Sequence, residues 1–354
     1  MPEQSDTQPQ PKTPQPPRRA RRWGLIVTGM VMMLCAAAGY AAVMLLYPAV
    51  VEQAEEFAPP AEQTQSTIET QLATEATVEP GGQTPTTEEP VPATAGPTVP
   101  PSLPAFAPPQ TLPASDGVMR TVDVPILMYH YVSEPPSDAD VYRVDLSVTP
   151  DEFRNQMAWL KENGYQAVTL YEIAAALNSE EAALPPRPVV ITFDDGYEDN
   201  YHNAFPILKE MEMPATFFVL TDVTDRSEAG YMTWPMLEEM ANAGMDIEVH
   251  GREHFELTGR DYDWLIFHLL GPIETIEANL GYRPRFLSYP AGLYDDDVIA
   301  VAQEVGYWGA VTTLNGFEQN SALPFKMRRL RIRGEWPLSA FASIMQEVTI
   351  RQSN

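Results

Sequence analysis

Two short stretches of the chain carry side chains able to do chemistry together. Residues 250–254 read His-Gly-Arg-Glu-His, which sets two imidazoles four positions apart. Residues 194–196 read Asp-Asp-Gly, directly after the apolar run Val-Val-Ile-Thr-Phe at 189–193. Neutral imidazole is the commonest metal ligand among side chains, and an i, i+4 pair suits one ion on a helix or in a tight loop. Adjacent carboxylates repel, so one rises in pKa unless a cation lies between them. A divalent metal removes that conflict. One of Asp194 and Asp195 ligates it, and the other is left to take a proton from water. Gly196 permits the sharp turn that follows. One aspartate with His250 and His254 makes three protein ligands and leaves a position open, the usual arrangement of a catalytic zinc-type site. Spacing alone does not say which aspartate has which role. Each feature also has a plainer reading: an Asp-Gly turn capping a helix, and a pair of surface histidines. An apolar strand feeding both carboxylates weighs against the first.

Read as H-x-x-E-H, residues 250–254 also match an inverted zinc-protease motif with Glu253 as general base. That motif needs one helix to carry both histidines and the glutamate. Asp-Ile-Glu-Val before His250 reads as a strand, and Gly251 disfavours a helix. The expected context is therefore a strand end, which argues against a protease.

The elements that position these residues are legible as short apolar runs alternating with helical periods. Segments 124–130, 189–193, 215–220, 246–250, 285–290 and 308–313 read as buried strands. Segments 150–163, 170–178, 200–212, 234–243, 261–280 and 295–305 read as amphipathic helices. Thr149-Pro150 is a start signal, and Gly164, Gly244, Gly281 and Gly306 are stop signals. This alternation predicts an α/β fold with a mostly parallel sheet, and about six to eight such units fit a closed barrel better than an open sheet. In a barrel, chemistry collects at the C-terminal strand ends. Four expected strands end there in His130, in Asp194-Asp195-Gly196, in His250 and in Ala291-Gly292.

The rest of the 354-residue chain, with net charge -27 and pI near 4.4, differs in character. Residues 1–22 are rich in proline and glutamine and close with Arg18, Arg19, Arg21 and Arg22, which predicts a disordered cytoplasmic N-terminus. Residues 23–47 hold no charged side chain and run from Trp23 to Tyr47, which predicts a transmembrane signal-anchor helix with the remainder outside. A cleaved signal peptide is the rival, but the run is longer than a usual apolar signal core and its small residues lie inside it. Residues 48–120 are rich in Pro, Thr and Glu and read as a disordered, extended linker. A strongly acidic chain is a poor match for nucleic acid. The single cysteine, Cys35, falls in the apolar run, so a metal in the outer domain must use His, Asp or Glu. These readings predict a single-pass protein of the cell membrane with an extracytoplasmic catalytic domain at 121–354.

Three stretches, ITFDDGYEDNY (191–201), DIEVHGREHFELT (246–258) and RFLSYPAGLYD (285–295), resemble in order and spacing the first three motifs of the polysaccharide deacetylases with a NodB-type domain, carbohydrate esterase family four. The flanks VPILMYHYVS, PATFFV, YMTWPMLEEMANAG and GYWGAVTT agree, so the resemblance covers roughly 121–345. It implies a distorted (β/α) barrel that hydrolyses N-acetyl, sometimes O-acetyl, groups of glycans at a divalent metal, zinc being the expected ion. It implies Asp194 as general base and Asp195, His250 and His254 as metal ligands. A backbone N–H of the 290–292 turn would help hold the oxyanion.

The sequence departs from the family pattern at three places. Gly251 stands where a Ser or Thr is usual. Ser288 stands where many members carry an arginine that braces the catalytic aspartate; Arg285 or Arg252 is the expected substitute. The C-terminal Leu-His motif is missing. A branch of exopolysaccharide deacetylases that also lacks it carries the same Tyr-His as 129–130, which implies His130 as general acid; His202 and His268 lie in expected helices. A packed core histidine is the plainer reading of His130. The expected protein is a membrane-anchored deacetylase acting on an acetylated cell-wall or surface polysaccharide. A binding protein that kept the fold and lost turnover is the alternative. Tyr231, Trp234 and Tyr294 are candidates to stack on sugar faces, with core packing as their plainer role.

Overall fold

The computed structural model of the chain describes residues 107–352. The expected cytoplasmic segment 1–22, the anchor 23–47 and the linker up to residue 106 lie outside the described residues. Among the described residues no helix is long and apolar enough to cross a membrane.

Seven strands form the body of the domain: β1 (Ile126–Tyr129), β2 (Pro188–Phe193), β3 (Thr216–Leu220), β4 (Asp246–Gly251), β5 (Phe286–Ser288), β6 (Gly309–Asn315) and β7 (Met327–Arg331). They pair in sequence order, all parallel, and β7 closes back on β1 with Leu330 against Leu127 and Arg331 against Met128. Closure removes the unpaired edge that an open sheet would expose. The expected barrel is thus a closed parallel one of seven strands, wrapped by helices.

Alternation along the strands sorts side chains to two sides. One set, including Ile126, Val190, Phe218, Phe286, Val311 and Met327, packs together as a separate apolar cluster and fills the barrel. The other set, including Leu127, Ile191, Phe193, Phe217, Ile247 and Leu287, packs outward against helix residues such as Phe153, Leu237 and Leu269. Because both faces are covered, β2 reads as an unbroken buried run. Two positions beyond the apolar filling, the inward face turns polar, with Thr192, Ser288 and Arg329 all buried.

Six strands and five helices fall where the sequence predicts them, within about two residues. Helix Leu170–Asn178 starts on a capping box of Thr169 and Glu172. Helix Tyr262–Leu280 stops at Gly281 with φ 77°. The expected helix 200–212 is instead a π-helical turn, Asn200–Ala204, running into Phe205–Met211; Pro206 lacks an N–H for regular helical bonding. The missed elements include β7 and the C-terminal helix Leu338–Gln352. That helix packs Phe341 edge-on to Trp159 and receives the Tyr165 hydroxyl on the Met345 carbonyl. Residues 107–120, part of the expected linker, lie against the domain. Arg283 N donates to Gln110, Asn178 donates to the Pro113 carbonyl, and Arg120 N donates to Ser321.

Candidate active site

At the C-terminal end of β2 the backbone reverses within two residues. Asp195 has φ 74° and Gly196 has φ 77°. A Cβ at Gly196 would meet Val219 at 3.3 Å, and the left-handed conformation is costly for Asp195, so the turn is strained. The reversal splits the adjacent carboxylates between two environments.

Asp195 joins His250, which ends β4, and His254 in the loop after it. Its Oδ1 lies 3.1 Å from His250 Nε2 and 3.8 Å from His254 Nε2. One ligand atom from each of the three lies within 4.8 Å of the others. His250 Nδ1 is 2.8 Å from the Ser288 carbonyl, which can only accept, so Nδ1 carries the proton. Nε2 therefore turns a lone pair toward Asp195. Asp195 Oδ1 is itself buried without a hydrogen-bond partner. With the His250 ring neutral these two electron-rich atoms face each other; a divalent metal among all three ligand atoms would relieve that conflict, as a second proton on His250 would for this pair alone. The same charge demand shows in His250: burial lowers its pKa, but its contact with Asp195 and the nearby Asp194 outweigh this and raise it. Burial and the neighbouring His250 depress His254.

Asp194 points inward and meets Arg329. The guanidinium donates to Asp194 Oδ1 at 2.8 Å and Oδ2 at 2.6 Å, a bidentate fork. It also donates to the Thr312 carbonyl and to the hydroxyls of Thr192 and Ser288. Ser288 in turn donates to Asp194 at 3.2 Å. Burial raises the Asp194 carboxyl, yet Arg329 outweighs this and holds it well below the usual carboxylate range. The anion is thus fixed in one orientation, with Arg329 itself only 1% exposed.

The structure corrects the expected substitutes for the missing arginine. Arg285 lies over Trp308 and donates to the Gly306 carbonyl, while Arg252 pairs with Asp222. Neither braces Asp194. Arg329 does, from a strand far from the third motif in sequence but adjacent in the closed barrel to both β1 and β6. The signal that could have found it is an arginine between Met327 and Leu330 in a strand-length stretch just before the C-terminal helix. The protease reading also fails: His250 and Gly251 belong to a strand, and Glu253 pairs with Arg226. Gly251 has its own reason. Its φ is 122°, and a Cβ there would sit 3.0 Å from the Glu253 carbonyl, so a Ser or Thr would be strained.

His130 follows β1 and faces a cavity of about 450 Å³ that Asp194, Asp195, His250 and His254 also line. Asn200, from the π turn, donates to the His130 carbonyl at 2.8 Å and fixes the loop. The ring Nδ1 is buried without a partner, and burial lowers the imidazole pKa. His202 is exposed beside Glu198, and His268 stacks on Trp264. The opposite wall is the 290–292 turn, where Ala291 has φ 56° and is exposed to the cavity. Gly292 packs so closely on Thr313 that no Cβ fits. Of the three aromatic candidates, Tyr231 lines the cavity, Tyr294 stacks on Tyr289, and Trp234 donates to Asp225.

Comparison with known proteins adds independent findings. The sequence profile of the family described as polysaccharide deacetylase matches residues 181–310. YxkH of Bacillus subtilis, named to the same family, is 31% identical over 229 residues, spanning 65% of this chain and 78% of that protein. The poly-beta-1,6-N-acetyl-D-glucosamine N-deacetylase of Staphylococcus epidermidis is 29% identical over 213 residues, 57% of this chain and 72% of its own length. Among solved structures, the Streptococcus pyogenes deacetylase PplD in complex with acetate superposes with a TM-score of 0.59 at 30% identity, covering 64% of this chain and 99% of that one.

Proposed function

The chain belongs to the polysaccharide deacetylase family, hydrolases of non-peptide carbon–nitrogen bonds, and from that premise we propose a metal-dependent deacetylase of N-acetylated amino sugars in a cell-wall or surface glycan. The observation that carries this reading is the split of two adjacent carboxylates across one cavity: Asp195 with two histidines, Asp194 with Arg329. Asp195, His250 and His254 would hold the divalent metal, zinc being the expected ion, which when bound supplies Lewis-acid polarisation of the reacting oxygens.

The remaining steps fall to the protein's own groups. Asp194, oriented by Arg329, accepts a proton from the water that attacks the acetyl carbonyl carbon. The amide nitrogen cannot leave as an anion, so the carbon–nitrogen bond breaks as that nitrogen takes a proton. His130, the remaining imidazole on the cavity wall, supplies it. Burial lowers its pKa, so the proton it gives is one taken up from solvent as the substrate binds, and the proton held by Asp194 returns to solvent as acetate and amine leave. The 290–292 turn borders the cavity, and there the Ala291 N–H would face the developing oxyanion, since Pro290 has no N–H and that of Gly292 donates to the Tyr289 carbonyl. The products are acetate and a free amine. The name of the staphylococcal relative supports a poly-N-acetylglucosamine substrate, and O-acetyl groups are the second substrate to try. Residues 23–47 would anchor the domain to the membrane, facing outward.

The test is acetate release by the purified chain from β-1,6- and β-1,4-linked N-acetylglucosamine oligomers, with zinc, with chelator, and with Asp194→Asn. The expected result is release that needs metal and disappears in the variant. One ion bound per chain with no acetate from any acetylated glycan would reject the reading.

A further inference from the structure

The stretch His-Gly-Arg-Glu-His has two inner charged residues that the steps above do not use. His250 sits in β4 with its ring held by the Ser288 carbonyl. His254 stands half-exposed on the loop beyond the strand, so its place depends on the course of residues 251–253. Pairing of β3 with β4 slips where that course begins, from Val219 against Val249 to Leu220 against Gly251, and Gly251 has φ 122°. Strand pairing ends there, and other contacts must hold the loop.

Arg252 is docked on three sides. Its guanidinium faces the Asp222 carboxylate with two nitrogens, Nη2 3.0 Å from Oδ1 and Nε 3.3 Å from Oδ2. The Asp222 N–H donates to the Arg252 carbonyl at 2.8 Å, so the short helix Thr221–Asp225 grips main chain and side chain together. The guanidinium carbon lies 4.1 Å from the centroid of the Phe267 ring. Gly271 makes room in the helix Tyr262–Leu280: a Cβ there would meet Arg252 Nη1 at 2.9 Å. Glycine is unfavourable inside a helix, and the seat it leaves for the guanidinium is a reason for it. The side chains of Arg252 and Asp222 are 24% and 22% exposed, so solvent screens them less than Arg226 and Glu253, at 51% and 34%.

We propose that Arg252 is a positioning residue for His254: docked on Asp222, Phe267 and Gly271, it fixes the loop that brings the third metal ligand to Asp195 and His250. The inference rests on the metal reading of those three residues.

The experiment measures zinc affinity of the full chain by competition with a chromophoric chelator, for wild type, Arg252→Gln, Gly271→Ala and the double variant. Amide hydrogen exchange of residues 251–255 is followed in the same proteins without metal. Removing groups that orient a ligand typically costs about 10- to 100-fold in metal affinity, and each single variant should lose about 10-fold or more. The double variant should lose no more than Arg252→Gln alone, since Gly271 acts through Arg252. Arg252→Lys should not restore affinity, because an ammonium cannot make the two-point contact or lie flat on Phe267. Arg226→Gln should bind zinc as wild type does. Exchange should quicken at 251–255 in the Arg252→Gln and Gly271→Ala proteins and stay unchanged in β4. Wild-type affinity in Arg252→Gln, in a protein that loses its zinc on His250→Ala, overturns the proposal. So does a loss of affinity that merely follows faster exchange throughout the domain. Additive losses would mean that Gly271 serves its own helix beside Pro272, and would overturn the dock. If wild type binds no zinc while exchange at 251–255 still quickens in Arg252→Gln, the anchoring of the loop stands and the metal reading fails.

Discussion

The two ends of the barrel both bury carboxylates, and they treat them in opposite ways. At the C-terminal end, Asp194 and Asp195 are each set against cations or cation ligands, and both are held ionised below the usual range. At the N-terminal end, Asp246 and Glu248 lie on the same face of β4 as His250, and neither forms an ion pair among the described residues. Burial pushes Asp246 up to about 7 and Glu248 up to about 8. Glu248 is satisfied by neutral donors: the Tyr171 hydroxyl at 2.6 Å and the backbone N–H groups of Arg285 and Phe286. Glu248 stitches β4 to β5 and to helix Leu170–Asn178, while Asp246 Oδ2 is buried without a hydrogen-bond partner among the described residues. The upper pair is strained, partly unsatisfied and open to a cavity. One strand thus carries structural acid–base groups at its start and reactive ones at its end. Burial alone does not mark a functional carboxylate; an ionised state maintained inside an accessible cavity does.

The sharpest way to break this contrast is at the upper end. Asp194→Asn should lower kcat by roughly 10³-fold or more with metal content intact, since it removes the proposed base without touching a ligand, and it should also cost stability because it leaves the buried Arg329 guanidinium without its counter-charge. His250→Ala should abolish both activity and stoichiometric metal binding, read by metal analysis after dialysis. If Asp194→Asn keeps near-normal turnover, the division of labour between the two aspartates is wrong. Arg329→Met comes next. It strands a buried carboxylate, which typically costs about 3–5 kcal/mol of stability, and it should also impair activity because the base loses its orientation. Arg329→Lys should recover part of the stability and little of the activity, since a lysine cannot make the bidentate fork. Denaturant titration beside acetate release separates the two effects. His130→Phe should lower kcat by about 10²- to 10³-fold. Near-normal turnover of the folded variant would return His130 to the role of a packed core residue.

The contrast also shows what the sequence makes legible. Asp194, Asp195 and His250 were visible because each stands at the end of a buried strand, and His254 because it lies four residues after His250. Six strands were visible as apolar runs. β7 was not, since Met-Arg-Arg-Leu-Arg interrupts its apolar pattern with the residues that serve the site. Arg329 could not be placed by proximity to the third motif, because barrel closure, not chain order, brings it to Asp194. Once it is placed, the missing arginine near Ser288 no longer argues for a protein that has lost turnover. Ser288 instead supplies a small hydroxyl where the Arg329 fork enters. The π turn at Asn200–Ala204 was read as ordinary helix, since periodicity does not register one extra residue per turn.

The lower pair offers the smallest and most specific effect. Glu248→Gln and Asp246→Asn should leave kcat unchanged, because neither side chain borders the cavity. Their signature is in stability against pH. Both groups have folded pKa values above their ordinary 3.8 and 4.5. The folded state therefore keeps protons that the unfolded chain releases as pH rises from about 4 toward 8, and this pair lowers stability across that window. Asp194 contributes with the opposite sign, but its stabilisation is lost only in strong acid, below the window. Folding also lowers His130 and His254 and raises His250, so the informative quantity is the difference between wild type and the Asp246→Asn, Glu248→Gln double variant. Melting temperatures from pH 5 to 8.5 should show the wild type losing ground to the double variant as pH rises, with the two curves diverging most between pH 6 and 8. Parallel curves would mean that Glu248, with its three donors, is already ionised in the folded state. The two ends of the barrel would then hold their carboxylates in the same charge state, and only access to the cavity would distinguish them.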